Sequence, residues 1–406
     1  MRQPIEEGKI MEEPREVAIR RVLWWKVFPW LRLVRAAVVA CTPRVLVIAI
    51  AGLLLVEAGR QVLEYAFPNR EPLPALPRGV PLSLGGGDLS LAQPVQPRFE
   101  APKPSSSRAR ESSSLLAELA RQPRLVPVFG VWADLASCYT YFLQITYVPD
   151  RPEMPRAIPQ ERSWVDWIKR LFHLIWVFAV WALCGGAILR FAALASLRGE
   201  GHSRGRWFRF ALARWPAGMA CVLGGWVAIY GFGWISAVVC LGANWFGTHV
   251  LPLGWAWVIT VIPAAILTLV VVLVVLGWPL MLAAIMIDNQ DGYGAVGAAG
   301  SYLFRRPFHF LFYAGVAAVI GAAVAVVVAI LVEWCIGLTL WSAELVLPRV
   351  SFGEILANSS LAQWHNVFRH LTSAYLYGHF WTSTAVAYVL LRHAVDETEF
   401  DELYDE

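Results

Sequence analysis

Residues 286–313 read MIDNQDGYGAVGAAGSYLFRRPFHFLFY, with two aspartates, four glycines and an Arg-Arg-Pro between apolar flanks. The apolar sequence on each side continues for about the 20 residues that a helix needs to cross the hydrocarbon core of a bilayer. Charged side chains are costly inside that core. The polar interior of this stretch therefore predicts a joint between two membrane helices.

The composition of the whole chain also indicates a membrane protein. Of its 406 residues, 57% are hydrophobic and 16% are charged, whereas a soluble domain carries about 25% charged residues. A surface that faces lipid needs no charge, so this deficit indicates a large lipid-facing surface. We predict an all-α fold, a polytopic transmembrane helical bundle of six spans with interfacial amphipathic helices.

Apolar runs and the sequence between them divide the chain into five regions. These are a basic interfacial N-terminal segment (1–43), span 1 (44–67), a Pro/Ser/Gly-rich extracytoplasmic loop (68–163), a bundle of five spans (164–395) and an acidic cytoplasmic tail (396–406). The five later spans are predicted at residues 168–196, 217–241, 253–286, 309–333 and 372–394. Near the end of span 1, Glu57, Arg60 and Glu64 share one helical face, which predicts a charge-paired anchor.

The long loop contains one awkward segment. Most of residues 68–163 lack periodicity and predict disorder, but residues 126–149, VPVFGVWADLASCYTYFLQITYVP, are apolar and long enough to span. They also carry Asp134 and are bracketed by prolines. We interpret them as an amphipathic segment on the outer leaflet; the alternative is a further span, which would invert everything downstream.

The arginines of the short connections predict the orientation. Residues 190–214 are rich in arginine and residues 286–308 carry Arg305 and Arg306, whereas residues 242–252 have neither Lys nor Arg. Short loops with Lys or Arg remain in the cytoplasm. We therefore predict a multi-pass membrane protein with both termini cytoplasmic.

The two arginine-bearing joints resemble each other. Residues 200–216 and 291–307 both begin with an acidic residue and glycine, and both end with arginine two positions before a proline. Glycine permits a turn and proline suits the first turn of a helix. The pattern predicts two span-joint-span units that run in the same direction; the alternative is that interfacial helices often begin at glycine and end at proline.

These joints supply the predicted partners, which are membrane lipids and, as a further option, other membrane proteins or a second copy of the chain. Arginines in short amphipathic helices at the interface suit anionic headgroups. Nothing in the pattern points to nucleic acid. The candidate headgroup contacts are Arg204, Arg206, Arg209, Arg214, Arg305 and Arg306.

Span 6 carries a polar stripe. Thr372, Tyr375, His379 and Ser383 recur at helical spacing, and polar side chains within a membrane face other helices or water. The stripe predicts either a polar pathway with His379 as its titrating member or hydrogen bonding between helices.

Catalytic and metal-binding patterns are not apparent. The DNQDG turn lacks the alternating oxygen ligands and closing glutamate of an EF-hand, and no paired acid and base or nucleophile motif is found. We predict no catalytic residues, no metal site and no cofactor.

Three stretches resemble a known family. They are residues 34–55 (VRAAVVACTPRVLVIAIAGLLL), 174–201 (LIWVFAVWALCGGAILRFAALASLRGEG) and 277–313, which ends in SYLFRRPFHFLFY. They are similar to an uncharacterised polytopic inner-membrane protein family of planctomycete bacteria, over about half the chain. The similarity departs in the loop at 68–163 and after about residue 330. The resemblance implies the architecture, a location in the bacterial cytoplasmic (inner) membrane, and no catalytic residue.

Three functions are compatible with these features. The leading hypothesis is a non-enzymatic integral membrane protein, a scaffold or complex subunit with anionic-lipid contacts. The alternative is a transporter of a small solute or lipid through a path lined by span 6. A membrane-embedded enzyme is the third.

Overall fold

A computed structural model describes residues 28–67, 129, 131–132, 135, 164–198, 205–249, 253–346 and 359–398. Four predictions concern residues outside this part of the chain. They are the disorder of most of the loop, the basic residues before 28, the role of Arg204 and the tail beyond Thr398.

Every regular element in the described residues is helical. A 3-10 turn at Pro29–Leu31 precedes the first α-helix, and a π-helical turn at Leu194–Arg198 follows the third. The α-helices in chain order are α1 (Arg32–Ala40), α2 (Pro43–Ala66), α3 (Trp164–Ala193), α4 (Arg206–His249), α5 (Leu253–Asp288), α6 (Gly292–Arg305), α7 (Pro307–Val346) and α8 (Ser359–Asp396). The all-α prediction is confirmed.

Five of these helices are long and apolar enough to cross a membrane, and they indicate a multi-pass membrane protein. They lie at Pro43–Ala66, Trp164–Ser196, Arg206–Val239, Val261–Asp288 and Pro307–Thr339, and each overlaps a predicted span. The predicted sixth span falls within α8. That helix has 38 residues, ample length for a bilayer, but its many polar residues keep it out of the apolar set.

The two joints differ in structure. The second is a separate helix, α6, and Pro307 begins α7 as predicted. The described residues of the first joint, 205–216, form no separate helix, because α4 runs unbroken from Arg206 and contains Pro216. The prediction that Pro216 starts a span is therefore wrong. Proline is tolerated inside a membrane helix where neighbouring helices support it, and the indole of Trp215 ties this turn to α3 by donating to the Ala179 carbonyl at 2.9 Å.

The bundle is organised around α8, which packs against α1, α2, α3, α5 and α7. Helices α3, α5 and α8 run in parallel. Phe178, near the middle of α3, contacts Trp278 of α5, and farther along the bundle Arg190 reaches the carbonyl of Met286. Between α5 and α8, contacts run from Trp278 with Trp381 to Asp288 with Arg392.

Tryptophans of α3 pack against glycines of α2 and hold the two helices together. The ring of Trp176 lies over Gly59, and its indole donates to the Leu55 carbonyl at 2.8 Å. Immediately after Gly59, Arg60 pairs with Glu57 and Glu64 at 2.5 Å each, so the charge pairing predicted near the end of span 1 is confirmed. Without a strong hydrophobic force between helices in lipid, close packing of this kind carries helix association.

The described part of the basic N-terminal segment packs into the bundle. The buried face of α1 includes Leu33, Ala36, Ala37 and Ala40, and it lies mainly against α8. Ala40 lies close to Gly378 in the middle of α8. The predicted interfacial helix thus packs against protein, because its alanines let α8 approach closely.

The segment predicted to lie on the outer leaflet enters the bundle instead. Its described residues are helical, Val131 and Leu135 are buried, and the Trp132 indole donates to the carbonyl of Val275 at 2.8 Å. Val275 lies in the middle of the candidate span Val261–Asp288. The surface interpretation is therefore wrong for these residues, which we call the Trp132 segment (Phe129, Val131, Trp132 and Leu135).

Candidate lipid-contact surface and buried polar stripe

One end of the bundle is closed by a buried ionic cluster. The carboxylate of Asp288, the last residue of α5, forms a short ion pair with Arg392 of α8 and accepts a hydrogen bond from the Tyr388 hydroxyl at 2.5 Å. The side chains of Arg392 and Asp288 are only 8% and 15% exposed. Buried charges require such partners, because removing either one leaves the other uncompensated.

Arg190 of α3 completes the end of α5. Its guanidinium donates to the carbonyls of Met286 and Ile287 at 3.3 and 3.4 Å and lies over the ring of Phe210, 4.4 Å from its centroid. The last carbonyls of a helix lack partners within it and carry its negative dipole end. A cation at this position therefore stabilises the end of α5, and it brings the start of α4 to the same place.

Helix α6 joins this cluster through Tyr302. Its hydroxyl donates to the Asp396 carboxylate at 2.6 Å, and its ring lies 5.6 Å from that of Tyr388. Burial, followed by the hydrogen bond to Asp396, raises the pKa of Tyr302 above its usual range. The helix begins with Asp291 as N-cap, whose carboxylate accepts from the Gly294 amide at 2.8 Å. DNQDG thus acts as a helix cap and ion-pair joint.

The candidate arginines lie at this same end. Arg206 and Arg209 begin α4 beside Phe210, and Arg305 and Arg306 follow Tyr302. These four are exposed, and no hydrogen bond or ion pair joins their guanidinium groups to another described residue. Arg214 is half-buried. The structure therefore brings the two joints to one end of the bundle, as predicted, and leaves four cations available to a ligand outside it.

Exposed aromatic side chains accompany these arginines. Phe208 lies between Arg206 and Arg209 in sequence and is 39% exposed, while Phe304 and Phe308 flank Arg305 and Arg306 and are 55% and 82% exposed. Aromatic rings beside cations are typical of protein surfaces at the headgroup region of a bilayer. We call these four arginines and three phenylalanines the cationic rim.

The polar stripe is buried inside the bundle. Thr372, Tyr375, His379 and Ser383 are all less than 10% exposed. His379 contacts the Ala317 carbonyl of α7 through Nε2 at 2.9 Å and stacks on Tyr375 at 5.8 Å, whereas the Ser383 hydroxyl donates to the Phe380 carbonyl of its own helix. His379 thus links two helices, which is the interhelical role that was the second interpretation of the stripe.

A cavity of about 30 Å³ lies beside the stripe. Ser383 and Thr384 contribute to its walls, but most of the lining is apolar: Trp132, Leu276, Pro279, Leu280, Phe310, Tyr313, Ala314, Ala317, Phe380 and Ala387. Tyr375 and His379 do not line it.

Several residues of this end were missed by the sequence patterns. Arg190, Tyr388 and Arg392 were not predicted to have a role, although an ionisable residue near the end of each apolar run was a usable signal for Arg190 and Arg392.

No known protein family, characterised protein or solved structure matched the chain. The case for function therefore depends on the residues described above.

Proposed function

We propose that this protein is a non-enzymatic integral membrane protein, a scaffold or complex subunit that binds anionic lipid through the cationic rim. It belongs, in this proposal, to the bacterial inner membrane with both termini cytoplasmic, and to the planctomycete family that its sequence resembles. The observation that carries the proposal is the set of four exposed, unpaired arginines between exposed phenylalanines at one end of a multi-pass bundle.

The energetic basis is electrostatic. Each Lys or Arg near an anionic membrane surface contributes about 1 kcal/mol of attraction, or roughly a fivefold change in affinity. Arginine also offers paired donors that match phosphate oxygens. Because Arg206, Arg209, Arg305 and Arg306 have no protein partner among the described residues, binding a headgroup breaks no internal contact.

The packing of the interior supports a non-transporting role. A solute path would need polar groups that face a continuous cavity. Here Thr382, Ser383 and Thr384 each donate to carbonyls of α8 itself, and the adjacent cavity is lined mostly by apolar side chains.

A transporter remains the second candidate because of one observation. The Tyr375 hydroxyl and the His379 Nδ1 atom are buried and have no hydrogen-bond partner among the residues that the structure describes. Unpaired buried polar atoms are costly, and a pathway that opens in a second conformation would hydrate both.

The test replaces the four rim arginines by glutamine, with four lysine substitutions as the charge-preserving control. The full chain is purified in mild detergent, and phosphatidylglycerol and cardiolipin that co-purify are quantified by mass spectrometry. We expect the wild-type and lysine proteins to retain anionic lipid and to melt at higher temperature with phosphatidylglycerol than with phosphatidylcholine. The glutamine variant should lose both effects; equal retention by all three proteins would rule the rim out as a lipid site.

A further inference from the structure

The Trp132 segment fills a cleft between two helices that scarcely touch. Helices α5 and α7 both pack on α8 but make almost no direct contact with each other. The residues that line the space between them include Pro279 and Leu280 of α5, Phe310 of α7, Phe380 of α8 and Trp132.

The Pro279 residue of α5 creates a hydrogen-bond acceptor in this cleft. In an α-helix the carbonyl of residue 275 accepts the N–H of residue 279. Proline has no N–H, so the carbonyl of Val275 lacks its helical partner. In the apolar middle of a membrane span there is little water to replace it, and an unsatisfied carbonyl costs several kcal/mol.

Trp132 supplies the missing donor. Its indole N–H points to the Val275 oxygen at 2.8 Å. The ring meets Phe310 edge-on at a centroid distance of 5.6 Å and Phe380 at 6.4 Å. Trp132 therefore satisfies the carbonyl and packs against the aromatic rings at the same time. It does so although Trp132 and Val275 lie 143 positions apart in sequence.

We propose that this cleft is a binding site for a planar aromatic group that carries an N–H donor, and that its occupant is the chain's own Trp132. Binding of Trp132 in this site anchors the Trp132 segment inside the bundle, and the segment covers the cleft between α5 and α7. Two features define it: a carbonyl freed by Pro279 and a slot between the rings of Phe310 and Phe380. No residue of the cationic rim takes part, so the inference is independent of the proposed lipid binding.

The first experiment vacates the site and refills it. Trp132→Ala in the full chain should lower the melting temperature and speed hydrogen–deuterium exchange in the peptide that contains residues 129–135. Added indole should raise the melting temperature of this variant and slow that exchange, with neither effect on the wild type. The control is 1-methylindole, which has the same ring system without the N–H and should restore much less. Equal rescue by both compounds, or none by indole, overturns the proposal.

A second experiment uses milder variants and does not require the alanine variant to fold. Trp132→Phe keeps an aromatic ring but loses the N–H, so it should lower the melting temperature. Pro279→Ala returns a helical N–H to the Val275 carbonyl, and in that background Trp132→Phe should lower the melting temperature distinctly less. An equal decrease in both backgrounds would show that the freed carbonyl is not what Trp132 recognises.

Discussion

Replacing Gly185 by alanine tests how tightly the centre of the bundle is packed. A Cβ atom at this position of α3 would lie 2.6 Å from Cε2 of Trp381, 2.8 Å from Cζ2 and 2.9 Å from Cδ2. Carbon atoms in contact prefer about 3.5–4.0 Å, so the indole would have to retreat by about 1 Å. Trp381 is fully buried, and the rings of Trp181, Trp278 and Phe380 surround it. It has no room to do so.

The magnitude follows from two opposing contributions. Overfilling a well-packed core costs about 1–3 kcal/mol, whereas alanine is better than glycine inside a helix by up to about 1 kcal/mol. Gly231, in the middle of α4, is the matched control because nothing lies within 4 Å of a Cβ built there. Gly231→Ala should therefore gain up to about 1 kcal/mol, and the two variants should differ by about 1–3 kcal/mol.

The measurement is unfolding by SDS in mixed micelles, followed by far-ultraviolet circular dichroism. A Gly185→Ala variant as stable as Gly231→Ala would refute the packing argument. A double-mutant cycle adds a second check, since a smaller ring at residue 381 should relieve the clash. Gly185→Ala should cost less in a Trp381→Phe background than in the wild type.

Three further predictions concern the ionic cluster and the orientation. Arg392→Met should lower the free energy of unfolding by up to about 3–5 kcal/mol, because it leaves the buried carboxylate of Asp288 without its cation; adding Asp288→Asn should recover part of the loss, and no recovery would mean that the pair is not coupled. The pKa of Tyr302 is raised in the folded chain, so above about pH 10, the ordinary pKa of tyrosine, the unfolded chain loses this proton while the folded chain keeps it. The free energy of unfolding should therefore fall as the pH rises above about 10, and it should fall less steeply in Tyr302→Phe. An equal fall in both proteins would show that burial of the phenol is incidental. In whole cells, an impermeant maleimide should label Gly247→Cys. It should leave Tyr293→Cys unlabelled until the cells are opened, although Tyr293 is 90% exposed. The reverse pattern would invert the predicted orientation.

The spans were predictable from sequence because their cause is local. A continuous apolar run of sufficient length is enough to specify a membrane helix, and α2, α3, α5 and α7 each overlap such a run. The end of α5 and the start of α7 were also predictable, because Asp288 interrupts the apolar run and Pro307 suits a first helical turn.

The contacts that build the site could not be predicted in this way. The pair of Asp288 and Arg392 is separated by 104 positions, and no periodicity in either helix shows which partner the other has. The prediction for Pro216 failed because it also depended on a contact with another helix. A proline starts a helix when nothing supports the broken turn, but here Trp215 packs this turn of α4 against α3. One long-range clue was present, since Pro279 frees a carbonyl and Trp132 lies in an apolar segment of the loop.

The position of α8 shows why polarity is a poor guide to whether it crosses the membrane. Hydropathy scales measure the cost of exposing side chains to lipid, but between residues 372 and 391 nearly every side chain of α8 is covered by other helices. The course of the chain gives the stronger argument. Helix α7 starts at Pro307, near the ionic cluster, and runs antiparallel to α8, with Ala317 beside His379 and Ala325 packed with Tyr375 farther away. After α7 the chain is at the opposite end, yet Arg392 pairs with Asp288 at the cluster. The chain therefore has to return through the depth of the bundle, and α8, about 57 Å long at 1.5 Å per residue, is the helix that makes this return.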